Sequence, residues 1–195
     1  LWDINDMSYL VLEALQKNLR EEPLDVNAEI KTLSLAHRYS TYGNVENRPI
    51  PSELADFVFG TDANTRVKLS DFKGKVIVIS LFWRDDGSEK TLDILNKLSR
   101  KFSHKKLVVF ALPEGLTAEE SSVMIEKNQG SFNFITDNTL AFMHWLRKDL
   151  IIGGLALPTT VVIGKDFVMH SRFNGWDRAA GEDMIVRSIT QAVGS

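Results

Sequence analysis

The sequence predicts an α/β domain built on a mixed β-sheet and preceded by a helical extension. From residue 50 onward, strand and helix patterns alternate and end in a β-hairpin followed by a helix, an order typical of a sheet with parallel and antiparallel strands. The near-continuous apolar run 75–83 has the length of a central strand buried on both faces. In residues 1–48, by contrast, apolar residues recur at helical spacing.

The extension is predicted over residues 1–48, and the α/β domain over residues 49–195. A proline at position 23 separates a first helix from a second, less regular one, and a polar connector rich in glycine, asparagine and proline follows. We expect these helices to pack on the domain or, alternatively, to dock it onto a larger assembly. The apolar face of the first helix consists of Met7, Leu10, Val11, Ala14 and Leu15.

Within the domain, each predicted element has a local signal. Residues 56–59 and 66–69 flank a turn-rich segment and predict a hairpin. Thr117 and Glu120 have the spacing of a capping box and predict a helix start. Apolar periodicity further predicts helices over 88–102, 117–127 and 138–146. It also predicts strands over 107–112 and 132–135 and a hairpin of 159–163 with 167–173. The apolar face of a predicted C-terminal helix consists of Met184, Ile185, Ile189 and Ala192.

Composition narrows the possible functions. The formal net charge of −3 and a pI near 5.8 give no reason to expect a nucleic-acid partner. No apolar run approaches the roughly 20 residues needed to span a bilayer. The chain contains no cysteine, which excludes disulfides, iron–sulfur clusters, thiolate zinc sites and cysteine nucleophiles. We expect no cofactor and no metal.

Two segments carry a resemblance to a known family. The run VKLSDFKGKVIVISLFW at residues 67–83 resembles the opening of TlpA/ResA-like thioredoxins, which are relatives of the peroxiredoxins. Residues 157–161 resemble that family's cis-proline segment, and the hairpin followed by Asn174, Gly175 and Trp176 also fits. The resemblance covers about residues 50–195 and implies a thioredoxin-like fold, with the Leu157–Pro158 peptide bond cis and facing the loop of residues 86–89.

The sequence departs from this family at its active-site loop. After the Phe-Trp strand end, the family places a Cys-x-x-Cys loop at a helix start, whereas this chain has Gly87 and Lys90 at the two cysteine positions. The chemistry needs a thiolate activated at the helix start and a second thiol one turn away. The departure therefore implies a redox-inactive member. A peroxiredoxin and a Sco-like copper protein are excluded for the same reason, since the cysteines that they need are absent.

This degenerate loop, residues 85–90, also contains polar residues of the types used in metal binding and in nucleophilic catalysis. Asp85, Asp86 and Glu89 are expected to favour a helix start, because carboxylates interact well with its free N–H groups. A metal site would need further ligands converging from elsewhere. Ser88 is predicted to cap the helix, since a nucleophilic serine would need a histidine base. No catalytic residue is assigned, because no triad pattern surrounds any histidine of the chain, namely His37, His104, His144 and His170.

A thioredoxin-like fold without cysteines can still bind a protein partner. In thioredoxin-like folds, the backbone beside the cis-proline pairs with an extended partner peptide, which needs no cysteine. We therefore expect a non-catalytic protein-binding, scaffold or assembly factor, exported to the periplasm as most of that family is, or alternatively organellar. Two alternatives stay open: a structural subunit of a larger complex, and an enzyme with unrecognised non-thiol chemistry at residues 85–90. The candidate partner-binding residues are Trp83, Leu157, Pro158, Thr159 and Trp176.

Overall fold

The computed structural model describes residues 47–62, 65–128, 132–137, 142 and 156–194. The helices predicted in the first 46 residues lie outside these ranges, as does most of the helix predicted over 138–146. The domain boundary placed after residue 48 therefore stays a prediction. Where the described chain begins, Arg48 and Pro49 form a two-residue strand that pairs with the last strand of the sheet.

The described strands form one sheet of eight strands. The sequence predicts its mixed character, but it does not predict the two-residue strand at Arg48 and Pro49. In chain order they are β1 (Arg48–Pro49), β2 (Phe59–Thr61), β3 (Arg66–Val67), β4 (Val76–Phe82), β5 (Leu107–Pro113), β6 (Asn133–Asp137), β7 (Thr159–Ile163) and β8 (Val168–Asn174). Their order across the sheet is β1-β8-β7-β4-β5-β6-β2-β3. The pairs β4–β5 and β5–β6 are parallel, and all other pairs are antiparallel.

Four helices lie within the described ranges: α1 (Ser52–Ala55), α2 (Asp86–Lys101), α3 (Ala118–Lys127) and α4 (Gly181–Gly194). A 3₁₀ turn, Leu69–Phe72, precedes β4. The predicted helices of the domain core are confirmed, with α2 beginning two residues earlier than expected. The short helix α1 was not predicted, because four residues are too few to show a helical period. None of these helices has the length and apolar character that crossing a bilayer requires.

Strand β4 is buried along its whole length. It pairs with β5 on one side and with β7 on the other, so its backbone hydrogen bonds are made within the sheet. Its side chains alternate between two apolar layers: Val76, Val78 and Phe82 face one, and Ile77, Ile79 and Leu81 face the other. This double burial explains why the sequence is apolar without alternation here.

Both faces of the sheet carry a mixed apolar core. On one face, α2 and α4 contribute aliphatic side chains, among them Leu95 and Ile189, neither of which is exposed, and they pack together with phenylalanine rings. On the other face, the ring of Phe59 lies 5.2 Å from that of Phe110 and 4.8 Å from that of Phe142, between centroids. The sheet is thus held between two apolar layers, and each of them contains packed rings.

Replacing Ile189 tests the packing of α4 on the sheet. We expect Ile189→Ala to lower the free energy of unfolding by about 2–5 kcal/mol, because it removes buried methyl groups and leaves a cavity. Thr190→Ala, an exposed neighbour on the same helix, should change it by less than about 0.5 kcal/mol. Urea unfolding followed by circular dichroism measures both, and equal small effects would contradict the described packing of α4.

Candidate functional site

Strands β4, β7 and β8 bring three of the predicted binding residues to one edge of the sheet. Leu81 pairs with Thr159, and Thr159 pairs with Asn174. Extending both registers by two residues places Leu157 level with Trp83 on one side and with Trp176 on the other. We call these three residues the candidate edge.

Helix α2 begins beside this edge, and Asp85 is its N-cap residue. The Asp85 side chain accepts a hydrogen bond from the Ser88 N–H at 2.7 Å. The prediction that Ser88 is the cap was wrong, because Ser88 lies inside the first turn and Asp85 precedes it. The fully buried Ser88 hydroxyl instead accepts a hydrogen bond from the Trp83 N–H at 3.0 Å. It thereby ties the end of β4 to the helix.

The other polar groups of the degenerate loop serve the helix or face solvent. The hydroxyl of buried Thr91 donates a hydrogen bond to the Gly87 carbonyl at 2.9 Å. Asp86, Glu89 and Lys90 are exposed. The described ranges contain no group of three or more histidine and carboxylate side chains placed to hold a metal ion. Asp85 and Ser88 are engaged in local hydrogen bonds at the start of α2.

Trp176 packs directly on Gly87, the residue that the sequence resemblance aligns with the first family cysteine. A Cβ atom added at Gly87 would lie 2.7 Å from the Trp176 Cβ and 3.1 Å from its Cγ. The first distance is one that real Cβ atoms essentially never show, the second is tighter than most real contacts, and the first neighbour is attached directly to the backbone. Any side chain at position 87 therefore requires the segment that carries Trp176 to move. Glycine is needed here for close approach.

Trp176 is fixed from both sides along the chain. Before it, the Gly175 N–H donates to the carbonyls of Ala156 at 2.9 Å and Pro158 at 2.8 Å, with Gly175 in the left-handed region at φ +82°. After it, the Asp177 carboxylate accepts hydrogen bonds from the backbone N–H groups of Ala179 and Ala180 ahead of α4. These anchors hold the indole over Gly87.

The proline segment is cis at the Leu157–Pro158 bond. Pro158 and Thr159 are buried, so a partner would not contact the Thr159 side chain directly. The Thr159 hydroxyl lies 2.8 Å from the Ala156 carbonyl and 2.9 Å from Asn174 Oδ1. Leu157 is half-buried, and neither its N–H nor its C=O has a hydrogen-bond partner among the described residues.

Trp83 presents the largest exposed apolar surface of the edge, with 43% of the residue accessible. The Arg84 guanidinium lies 5.9 Å from the centroid of its ring and forms a 2.6 Å ion pair with Glu120. Hydrogen bonds with the Thr117 backbone and side chain, and then the charge of Arg84, hold the pKa of Glu120 below its usual value. The capping box predicted at Thr117 is confirmed.

No pattern in the sequence indicated that Arg84 lies over Trp83 and pairs with Glu120. Their contact joins the loop after β4 to the start of α3, 36 residues further along the chain. Gly115, which has φ +66°, also lies against the Trp83 indole. The capping box was the one available signal, since it placed Glu120 in the first turn of a helix.

The sheet order, the helices and the cis-proline segment beside the start of α2 define a thioredoxin-like domain. The chain is similar to the thiol-disulfide oxidoreductase ResA of Bacillus cereus, with 25% identity over 155 residues that cover 76% of this chain and 83% of that protein. No protein-family model matches the chain. It is thus a relative of ResA-like thioredoxin-fold proteins that contains no cysteine.

Solved structures support the fold assignment. A thiol:disulfide interchange protein of the thioredoxin family from Chlorobium tepidum matches with a TM-score of 0.60 and 14% identity, over 76% of this chain and 99% of that one. A secreted Mycobacterium tuberculosis disulfide oxidoreductase, homologous to Escherichia coli DsbE, matches with a TM-score of 0.58 and 12% identity, over 72% and 99%. The predicted thioredoxin-like fold is confirmed.

The Gly87–Trp176 contact predicts that a glycine-to-alanine change lowers the stability of this protein, although such changes in helices usually raise it. Glycine-to-alanine changes within helices usually stabilise a protein by about 0.5–1 kcal/mol. We expect Gly87→Ala to destabilise this one by more than about 1 kcal/mol, because the new Cβ overlaps Trp176. Gly194→Ala, at a helical glycine with open space around it, is the control and should leave stability unchanged or slightly raised. A Gly87→Ala protein at least as stable as wild type would show that Trp176 does not close this position.

Proposed function

We propose that the protein is a redox-inactive thioredoxin-like domain that binds an extended segment of a protein partner at the candidate edge. The observation that carries the proposal is the backbone of Leu157, beside the cis Pro158, whose N–H and C=O have no hydrogen-bond partner within the described part of the chain. A partner strand needs an exposed N–H and C=O to pair with, and this mode of recognition uses main-chain hydrogen bonds rather than a thiol.

Trp83 gives such a partner an apolar contact. Its indole is exposed at the level of Leu157, with the Arg84 side chain beside it. Exposed tryptophans flanked by polar groups are frequent anchors of protein interfaces. The backbone of Leu157 would set the register of a bound strand, and Trp83 would supply contact area.

We propose that the protein is non-catalytic because it lacks the groups that thiol–disulfide exchange requires. This chain has no thiol, and Trp176 fills the space beside the position that the first cysteine takes in the family. An enzyme acting through residues 85–90 is the weaker alternative, since Asp85 and Ser88 are already engaged in hydrogen bonds within the helix start. A purely structural subunit would use other surfaces, and the experiment below separates that case.

We further propose that the protein works outside the cytoplasm, in the periplasm or an equivalent compartment. The support is by analogy: one matching structure is that of a secreted Mycobacterium tuberculosis protein. A domain without cysteine is also unaffected by an oxidising compartment. The partner is expected to be a protein that is present in the same compartment.

The exposed indole allows a direct test. With the protein as bait in an extract of its source cells, Trp83→Ala should lower recovery of the specific partner by at least about tenfold, the loss expected for an aromatic anchor. Val58→Ala is the matched control, because Val58 is 38% exposed and lies just before β2, three strands across the sheet from β4. Quantitative mass spectrometry measures recovery, and thermal melts show that both variants fold.

Two outcomes would contradict the proposal. If a partner is recovered equally by wild type and Trp83→Ala, binding uses another surface and the structural-subunit alternative is favoured. If Val58→Ala loses as much as Trp83→Ala, the capture reflects general apolar adsorption and not a site.

A further inference from the structure

Positive charge is concentrated at the end of the sheet opposite the candidate edge. Val76 pairs with Leu107, and Ile77 pairs with Ile163. Extending these registers places Lys75 level with Lys106 and with Lys165, where three strands begin or end. The Val76 N–H donates to the Lys106 carbonyl at 2.9 Å, so these chain segments lie side by side.

Neighbouring segments add to this charge. The basic end, as we define it, consists of six residues from the turn before β4, the last turn of α2 and the turn before β5: Lys73, Lys75, Arg100, Lys101, Lys105 and Lys106. The two at the end of α2 complement its dipole, but the four turn lysines have no such local role. Nearby acidic groups are engaged, since Asp71 accepts from the Lys68 N–H and Asp166 bonds to His170.

The six cations are available to a partner. None of them is paired with an acidic side chain within the described ranges, and all but Lys75 are exposed. Three lysines lie over partly buried phenylalanine rings: Lys73 over Phe167, Lys75 over Phe72 and Lys101 over Phe102, at 5.1–5.5 Å from the ring centroids. The face therefore combines exposed positive charge with partly buried aromatic rings.

The opposite end of the domain is acidic. The first turns of α2, α3 and α4 all begin there, because each of these helices follows a strand that ends at the candidate edge. They carry Asp86, Glu89, Glu119, Glu120, Glu182 and Asp183. Although the whole chain has a net charge of only −3, its charge is thus separated along the strand direction.

We propose that the basic end docks on an anionic lipid membrane surface, through the phosphates of lipid headgroups. Clustered lysines near an anionic bilayer are attracted to it without a fixed geometry. Five of the six cations are lysine, a compact point charge, whereas recognition of a carboxylate or phosphate in one geometry favours the arginine fork. The acidic opposite end would be repelled, so a charged plane would orient the domain.

This docking would direct the candidate edge away from the bilayer. The two surfaces lie at opposite ends of β4, where Lys75 precedes its first residue and Trp83 follows its last. A membrane-docked domain would therefore keep Trp83 and Leu157 accessible to a partner. The inference is independent of the proposed partner binding, because it uses none of the same residues.

Flotation of the full chain with vesicles tests the proposal. We expect binding to vesicles of phosphatidylcholine with phosphatidylglycerol, little binding to phosphatidylcholine alone, and weakening with salt. Lys73→Gln/Lys105→Gln/Lys106→Gln should lower binding at least about tenfold. The control Lys90→Gln/Arg178→Gln/Arg187→Gln removes the same charge from exposed positions outside the basic end and should lower binding no more than about twofold.

Three results would overturn the proposal. The first is no binding to the anionic vesicles. The second is an equal loss in both triple variants, which would mean attraction by net charge alone. The third is binding to polyglutamate or to a single-stranded oligonucleotide, with the same variant sensitivity, in the absence of vesicle binding. That result would assign the basic end to an acidic protein or a nucleic acid. Thermal melts of both variants establish that they are folded.

Discussion

The double burial of β4 is the constraint on which the rest of the domain depends. Because its seven residues face apolar layers on both sides and pair with strands on both edges, no other position in the sheet is open to it. Its carboxyl end then fixes where Trp83 leaves the core and where α2 must begin. Its amino end fixes the turn that carries Lys73 and Lys75. The candidate edge and the basic end are thus both consequences of one buried strand.

At the candidate edge, the start of α2 is ordered by hydrogen bonds although it carries no cysteine. Asp85 caps α2 and the Ser88 hydroxyl ties the helix to β4, so the loop remains ordered by hydrogen bonds. Gly87 has no side chain, and Trp176 packs against it. A filled helix start thus lies beside Leu157, whose backbone N–H and C=O have no hydrogen-bond partner within the described ranges, and the proposed function rests on this arrangement.

Much of this arrangement could be predicted from the sequence, for identifiable reasons. The apolar run of β4 and the capping box at Thr117 are local signals that survive folding unchanged. The Gly87–Trp176 contact joins residues far apart in the chain, and no periodicity indicates it. The cap of α2 was assigned to Ser88 rather than Asp85, because both residues favour helix starts and only the backbone decides between them. The extension falls outside the described residues.

The central claim, that a partner strand pairs with the backbone at Leu157, can be tested at a single amide. Hydrogen exchange of the Leu157 N–H should be measured by nuclear magnetic resonance in the free protein and in the complex with its partner. The account predicts rapid exchange in the free protein, because this N–H has no partner in the described chain, and strong protection in the complex. An amide whose exchange rate is the same in both states would contradict it.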